Sequence, residues 1–235
     1  MSKSLRVVLL SVALLAVGCA SSRAASRDSI AEVLAAEDRA PADTTLDAQR
    51  KLPDVLAFSG VGPGMTVVDV ITGPGHTAEA LSRVVGDQGR VYAANPTSLL
   101  DLKPIADQWV ARTSRYRADA LTKLDNADVT QLSAIPEGSV DIAYVFLAYH
   151  DLPLLKIDAA AMNRAIFRAL KSGGVYVVAD HSAKPGASDS DALKLHRANE
   201  ATVVKQVTAA GFSAPESSPV LLNASDARDW DDSPF

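Results

Sequence analysis

The chain has 235 residues, 48% of them hydrophobic and 22% charged, with a formal net charge of -5. This is the composition of one folded domain, not of a low-complexity chain. The acidic balance, with no block of Lys and Arg, argues against nucleic acid as a partner, because phosphate binding needs clustered positive charge.

At the N-terminus, Lys3 and Arg6 flank the start of an apolar run, Val7 to Val17, broken only by Ser11. A membrane-spanning helix needs roughly 20 such residues, so the run has instead the length of the apolar part of an export signal. It closes on Leu15-Ala16-Val17-Gly18-Cys19, small residues before a cysteine that resemble the lipobox of bacterial lipoproteins. Residues 1–18 are therefore expected to be a signal peptide, and Cys19, the sole cysteine, the site of lipid attachment. Ala16 stands where Leu is usual, so cleavage by the ordinary signal peptidase is the alternative. The expected location is exported and periplasmic, with membrane contact only through the lipid at Cys19, and residues 19–27 form a small, polar tether. No feature of the chain indicates an oligomeric state.

Residues 28–64 read as a helical segment. Ile30, Val33 and Leu34 share one face of a helix over Asp28–Arg39, capped by Asp28 and stopped by Pro41. Leu46–Phe58 is a second helix with Pro53 as a break or restart, and Gly60 to Gly64 is a turn cluster.

From residue 65 to 235 strands and helices alternate. The spacing predicts strands over Met65–Ile71, Arg90–Ala94, around Tyr116, over Ile142–Ala148, Val175–Ala179 and, as a candidate, Val220–Leu222. Between them it predicts helices over His76–Val85, Leu99–Arg112, Lys156–Leu170 and Ala192–Ala210. This is an α/β pattern: a doubly wound, mostly parallel sheet of Rossmann-like type, covered on both faces. Unalternating runs such as Val175-Tyr176-Val177-Val178 fit strands buried on both sides.

The first strand of this unit runs into Ile71-Thr72-Gly73-Pro74-Gly75. In such sheets ligands bind at the carboxyl ends of the strands, and glycines allow the backbone close approach or positive φ. Gly73-x-Gly75-x-x-Ala78 matches a loose dinucleotide fingerprint, yet the second strand ends in Ala93-Ala94-Asn95 without the acid that holds a ribose. The alternative is S-adenosylmethionine. Val67-Val68-Asp69-Val70-Ile71-Thr72-Gly73-Pro74-Gly75 resembles motif I of class I methyltransferases, with Ile71 at the first glycine. In order along the chain follow Gly89–Tyr92, Val140–Tyr144, Tyr149–Leu152, Lys171–Gly174, Asp180–Gly186, His196-Arg197 and Ala209–Phe212. Together they resemble a family of predicted, exported bacterial methyltransferases, over Leu46 to Asp232.

That resemblance implies the class I methyltransferase fold over residues 65–235 and S-adenosylmethionine as cofactor. It implies that Gly73 and Gly75 approach the methionine part, and that Asp69 orders the loop. Asn95 would stand at the ribose hydroxyls and Asp119 would accept from the adenine amino group. It also implies a further strand beyond Asp232, so the sheet is expected to lack its final strand or to use Val220–Leu222 in its place.

The chain has four histidines: His76, His150, His181 and His196. The first three fall at the carboxyl edge of the expected sheet, where a methyl acceptor would lie. A hydroxyl acceptor needs a base, and a histidine oriented by an aspartate serves near neutral pH. His150 or His181 is the expected base, with Asp180 orienting it or binding substrate; each pair is equally well read as a helix cap or loop pin. No tight His-x-x-x-His spacing supports a metal site, so none is expected. The leading function is methylation of a small molecule. The alternatives are a non-catalytic, membrane-tethered binding protein on a degenerate scaffold and a metal-dependent hydrolase using the histidines.

Overall fold

The computed structural model describes residues 4–8, 24–115 and 120–231. Its strands are β1 (Ser4–Val8), β2 (Thr66–Val70), β3 (Arg90–Asn95), β4 (Leu121–Asp125), β5 (Val140–Phe146), β6 (Leu170–Ala179) and β7 (Glu216–Ser217). Its helices are α1 (Arg27–Leu34), α2 (Pro41–Gln49), α3 (Leu52–Ser59), α4 (His76–Val85), α5 (Thr97–Leu100), α6 (Lys103–Arg115), α7 (Ala159–Ala169), α8 (Asp189–Lys194) and α9 (Glu200–Ala209).

One sheet holds the strands in the order β4-β3-β2-β5-β6-β1-β7, and every pairing is parallel. From β2 the chain steps outward to β3 and β4, then returns to β5 on the other side. The order therefore reverses between β2 and β5, which opens a crevice at their carboxyl ends. The two-residue period of the strands feeds two cores. Val68, Val70, Ala143, Val145 and Val178 pack on one face with α7 and α9. Val67, Ala93, Ile142, Tyr144 and Val177 pack on the other with α1, α3, α4 and Trp109 of α6. Among the described residues no helix is long and apolar enough to cross a membrane.

Several elements differ from the sequence reading, each for a local reason. Ser26, not Asp28, caps α1, its hydroxyl accepting from the Ser29 N–H at 3.1 Å. Pro41 begins α2 where an end was expected, because proline suits the first helical turn. The helix expected over Leu46–Phe58 is broken at Lys51, whose φ of 45° separates α2 from α3. The third strand of the alternating unit is β4, after Tyr116, which lies outside the described residues. The helix expected over Ala192–Ala210 divides into α8 and α9 around His196, at φ 48°. Val220–Leu222 is not a strand: Pro219–Leu221 makes a 3-10 turn, and β7 precedes it.

The N-terminal segment departs furthest. Ser4–Val8, expected to belong to a signal outside the fold, pairs with β6 from Ser4↔Val175 to Val8↔Ala179. It takes the sheet position beside β6, with the two-residue β7 on its outer side. A bare β6 edge would leave a row of unpaired N–H and C=O groups, and a parallel neighbour satisfies them. Cys19 lies outside the described residues.

Candidate active site

The glycine turn leaves β2 at Val70. Ile71, at the first glycine position of the motif, adopts φ 62°. A left-handed conformation costs a non-glycine residue about 1–2 kcal/mol. The Ile71 side chain is buried in the same cluster as Leu99 and Val129, and that burial offsets the strain. Asp69 is buried beneath the turn and accepts from the Thr72 hydroxyl at 2.5 Å. Burial pushes its carboxyl up to about 7, against the Thr72 hydrogen bond and the positive charge of Arg50. Asp69 thus holds the turn through Thr72.

Asn95 does something else. It is fully buried; its Oδ1 accepts from the Gly73 N–H and its Nδ2 donates to the Gly73 carbonyl, both at 2.9 Å. An amide matches both sides of a peptide, whereas a carboxylate could only accept. Asn95 therefore pins the glycine turn and does not face outward to accept from ribose hydroxyls. Gly73 and Gly75 also differ from each other. Both have positive φ, at 59° and 85°. Nothing stands within 4 Å of where a Cβ on Gly73 would be, but at Gly75 it would meet the Trp109 ring at 2.6 Å. The turn offers a cofactor close approach at Gly73, while Gly75 is spent on packing against α6. We expect Gly75→Ala to lower the unfolding free energy by about 2–4 kcal/mol, and Gly73→Ala by about 1 kcal/mol. Denaturant unfolding of the two variants checks this, and equal losses would refute it.

Over the turn lies α2, held by buried charges. Arg112 of α6 donates to Asp43 through both terminal nitrogens, at 2.9 and 2.7 Å, and also to Glu79. Its Nε donates to the Pro74 carbonyl at 3.0 Å. Burial pushes the Asp43 carboxyl up, but the Arg112 guanidinium outweighs it and holds the group down at about 2. His76 is buried in the same network, with Nε2 2.9 Å from Asp47 Oδ1. It is a strut of this roof.

The other histidines gather at the carboxyl ends of β5 and β6. Asp180 sits at their centre, its side chain fully buried. It accepts from the His150 N–H at 2.9 Å and the His181 N–H at 2.8 Å, and lies 2.6 Å from His150 Nδ1. His150 Nε2 is 3.3 Å from Asp151 Oδ1. His150, one of the two expected bases, is buried and hydrogen-bonded to Asp180 through its Nδ1. Its ring centroid lies 6.3 Å from that of His181 and 6.1 Å from that of His196. His196 faces Asp231 at 2.8 Å. Among the described residues no three His, Cys, Asp or Glu side chains converge to hold a metal ion, so the hydrolase reading gains no support.

His181 and Asp180 border a cavity of about 310 Å³. Its floor is the end of β5, at Phe146 and Leu147, and Arg50 reaches in from the end of α2. The segment from Ser218 to Trp230 covers it. Buried Arg197 fastens that cover: it donates to the Ser182 carbonyl at 3.1 Å and to Asp226 at 2.9 Å, and lies 4.9 Å from the Trp230 ring centroid. Arg50 joins the cavity to the glycine turn, because its guanidinium also lies 3.4 Å from His76 Nδ1.

Of the residues expected from sequence, the fold brings Asp69, Gly73, Gly75 and Asn95 together in one turn, and His150, Asp180 and His181 in one cluster. Asp119 lies outside the described residues; the acid at the carboxyl end of β4 is Asp125, which accepts from Trp109 Nε1 at 2.7 Å. Sequence reasoning missed Arg50, Trp109 and Arg112 as parts of the site. Only the apolar and charged spacing of α6 hinted at Trp109 and Arg112.

Residues 68–178 match the family described as methyltransferase domain. No curated protein matches. Solved structures with this fold include a methyltransferase dependent on S-adenosylmethionine from Aquifex aeolicus, at 19% identity and a TM-score of 0.56, covering 79% of this chain and 88% of that one. Another from Mesorhizobium loti shares 19% identity over 72% of this chain and 83% of its own, with a TM-score of 0.52. Geranyl diphosphate C-methyltransferase from Streptomyces coelicolor, solved with S-adenosyl-L-homocysteine, shares 16% identity over 76% of this chain and 65% of its own, with a TM-score of 0.53.

Proposed function

We propose that this chain, whose residues 68–178 match the methyltransferase-domain family, is a member of the class I S-adenosylmethionine-dependent methyltransferase superfamily and transfers the methyl group to a small-molecule acceptor held in the cavity beside His181. S-adenosylmethionine is the cofactor of this superfamily, and when bound it supplies an electrophilic methyl group on a sulfonium. The open space at Gly73 fits its close approach, with Asp69 and Thr72 ordering the turn and Asn95 fixing the Gly73 peptide.

The observation that carries the reading is the cavity at the carboxyl ends of β5 and β6, joined to the glycine turn by Arg50 and walled by His181. There a ring nitrogen of His181 takes the proton of an acceptor hydroxyl as the oxygen gains the methyl group. Asp180 acts as a positioning residue: by accepting from the His181 and His150 N–H groups it sets the backbone from which both rings project. The Ser218–Trp230 segment borders the cavity and helps to hold the reactants in line.

Calorimetric titration with S-adenosylmethionine and S-adenosylhomocysteine tests the reading. We expect saturable binding by the protein, weakened about tenfold or more by Gly73→Ala, whose Cβ enters the open approach. A folded protein that binds neither compound at millimolar concentration would sink the reading, and leave a ligand-binding protein on this scaffold.

The export reading is proposed with it, on Lys3 and Arg6, the apolar run to Val17, and Cys19; cleavage before Cys19 removes β1 from the sheet and leaves the β6 edge open. Mass spectrometry of the protein from its native cell would show a diacylglyceryl-modified Cys19 at the mature N-terminus; an intact Met1 end would overturn it.

A further inference from the structure

We propose that the cavity beside His181 is a carboxylate site, and that the acceptor is a small aromatic hydroxy acid whose carboxylate is held by Arg50. The identity of the acceptor rests on the methyltransferase reading above; the carboxylate site does not.

Arg50 is placed by the break at Lys51 that ends α2, and it stands apart from the other arginines nearby. Arg39 is bonded to Asp47, Arg83 to Asp38, Arg112 to Asp43 and Arg197 to Asp226. Arg50 has no carboxylate within 4 Å among the described residues, and its one side-chain hydrogen-bond contact there is His76 Nδ1. Its guanidinium lies 5.8 Å from the Phe146 ring centroid, on the cavity wall. Arg50 is half-buried, and Asp47 and Asp69 attract it only from beyond ion-pair distance, so a bound anion would be a closer partner.

The acids that border the cavity do not supply the charge. Asp180 is engaged by His150 and by the His181 N–H, and Asp226 by Arg197. A second cation, Arg228, lies on the same wall and donates to the Ala183 carbonyl at 3.2 Å. The planar guanidinium of Arg50 matches a carboxylate with two parallel bonds. Phe146, Trp230, Leu221 and Leu222 line the cavity with apolar side chains suited to a ring. At about 310 Å³ the space suits a single substituted ring and stands at the low end of small-molecule sites. A hydroxyl on that ring, opposite the carboxylate, would be presented to His181.

The test is titration with 4-hydroxybenzoate and with 4-hydroxybenzyl alcohol, which keeps the ring and phenol but has no charge. Each is titrated into the unaltered protein, Arg50→Gln and Arg50→Lys, with S-adenosylhomocysteine run in parallel. Circular dichroism of each protein establishes that it is folded. We expect the acid to bind about tenfold or more tighter than the alcohol, Arg50→Gln to abolish the preference, and Arg50→Lys to keep part of it. Equal binding of acid and alcohol, acid binding unchanged in Arg50→Gln, or no binding of either probe overturns the proposal. Loss of S-adenosylhomocysteine binding in Arg50→Gln with acid binding retained also overturns it, because the guanidinium would then serve the cofactor's own carboxylate. Arg50-dependent acid binding without S-adenosylhomocysteine binding would sustain the carboxylate site and remove the methyltransferase reading. The reverse pattern would keep that reading and remove this proposal.

Discussion

Arg112→Met is expected to lower the unfolding free energy by about 3–5 kcal/mol, the range found when one partner of a buried ion pair is removed. Arg112 is 15% exposed at its side chain, while Glu79 and Asp43 are 1% and 8% exposed. Its loss strands two carboxylates from different helices and frees the Pro74 carbonyl in the glycine turn. Arg115, at 3.3 Å from Asp43, and Arg83, at 3.2 Å from Glu79, compensate in part, which favours the lower end of the range. Methionine keeps the length of the stem, so the change isolates the charge. Adding Asp43→Leu to Arg112→Met should recover part of the loss, because it removes one of the stranded charges. A loss below about 1 kcal/mol would show that the network is solvated and weak. The same geometry sets an acid limit. The Asp43 carboxyl is held near 2 in the folded protein, below its ordinary value. Its pairing therefore stabilises the fold above about pH 4 and is lost as pH falls toward 2.

The second large effect has the opposite sign. The Asp69 carboxyl is raised to about 7 by burial, so the folded chain binds a proton there that the unfolded chain has released. Stability from this group falls as pH rises from about 4 to 7 and levels off above, by on the order of 4 kcal/mol for a shift of about three units. Asp69→Asn keeps an acceptor for the Thr72 hydroxyl and cannot ionise. The variant should therefore gain on the unaltered protein by about 2–3 kcal/mol between pH 5 and pH 8, whatever constant offset its amide N–H groups add. Urea unfolding of both proteins at the two pH values measures this. A difference between them that is the same at pH 5 and pH 8 would show that Asp69 titrates normally. Arg50 lowers the Asp69 carboxyl, so an anion that takes up Arg50 should make Asp69 harder to ionise.

Much of this molecule is written in short-range signals. Apolar runs at Val67–Val70, Ile142–Phe146 and Val175–Ala179, separated by helical spacing, suffice for a parallel sheet with covered faces, because a strand buried on both sides can carry no polar alternation. Gly73 and Gly75 mark the turn since only a residue without Cβ takes such φ freely, and the carboxyl-edge rule brings Asp180, His150 and His181 together. What the sequence could not decide is which way each polar group points. Asn95 stands where an outward acceptor is expected, yet the Gly73 peptide, 22 positions earlier in the chain, turns it inward. His150 and His181 look alike in sequence; the fold buries one against Asp180 and sets the other on the cavity wall. Trp109 reaches Gly75, and Arg112 ties α2 to α4, across separations that no local pattern encodes. Periodicity reports burial, which each residue experiences singly. Hydrogen bonds and ion pairs depend on two groups meeting at a few ångström, and only the folded chain decides which groups meet.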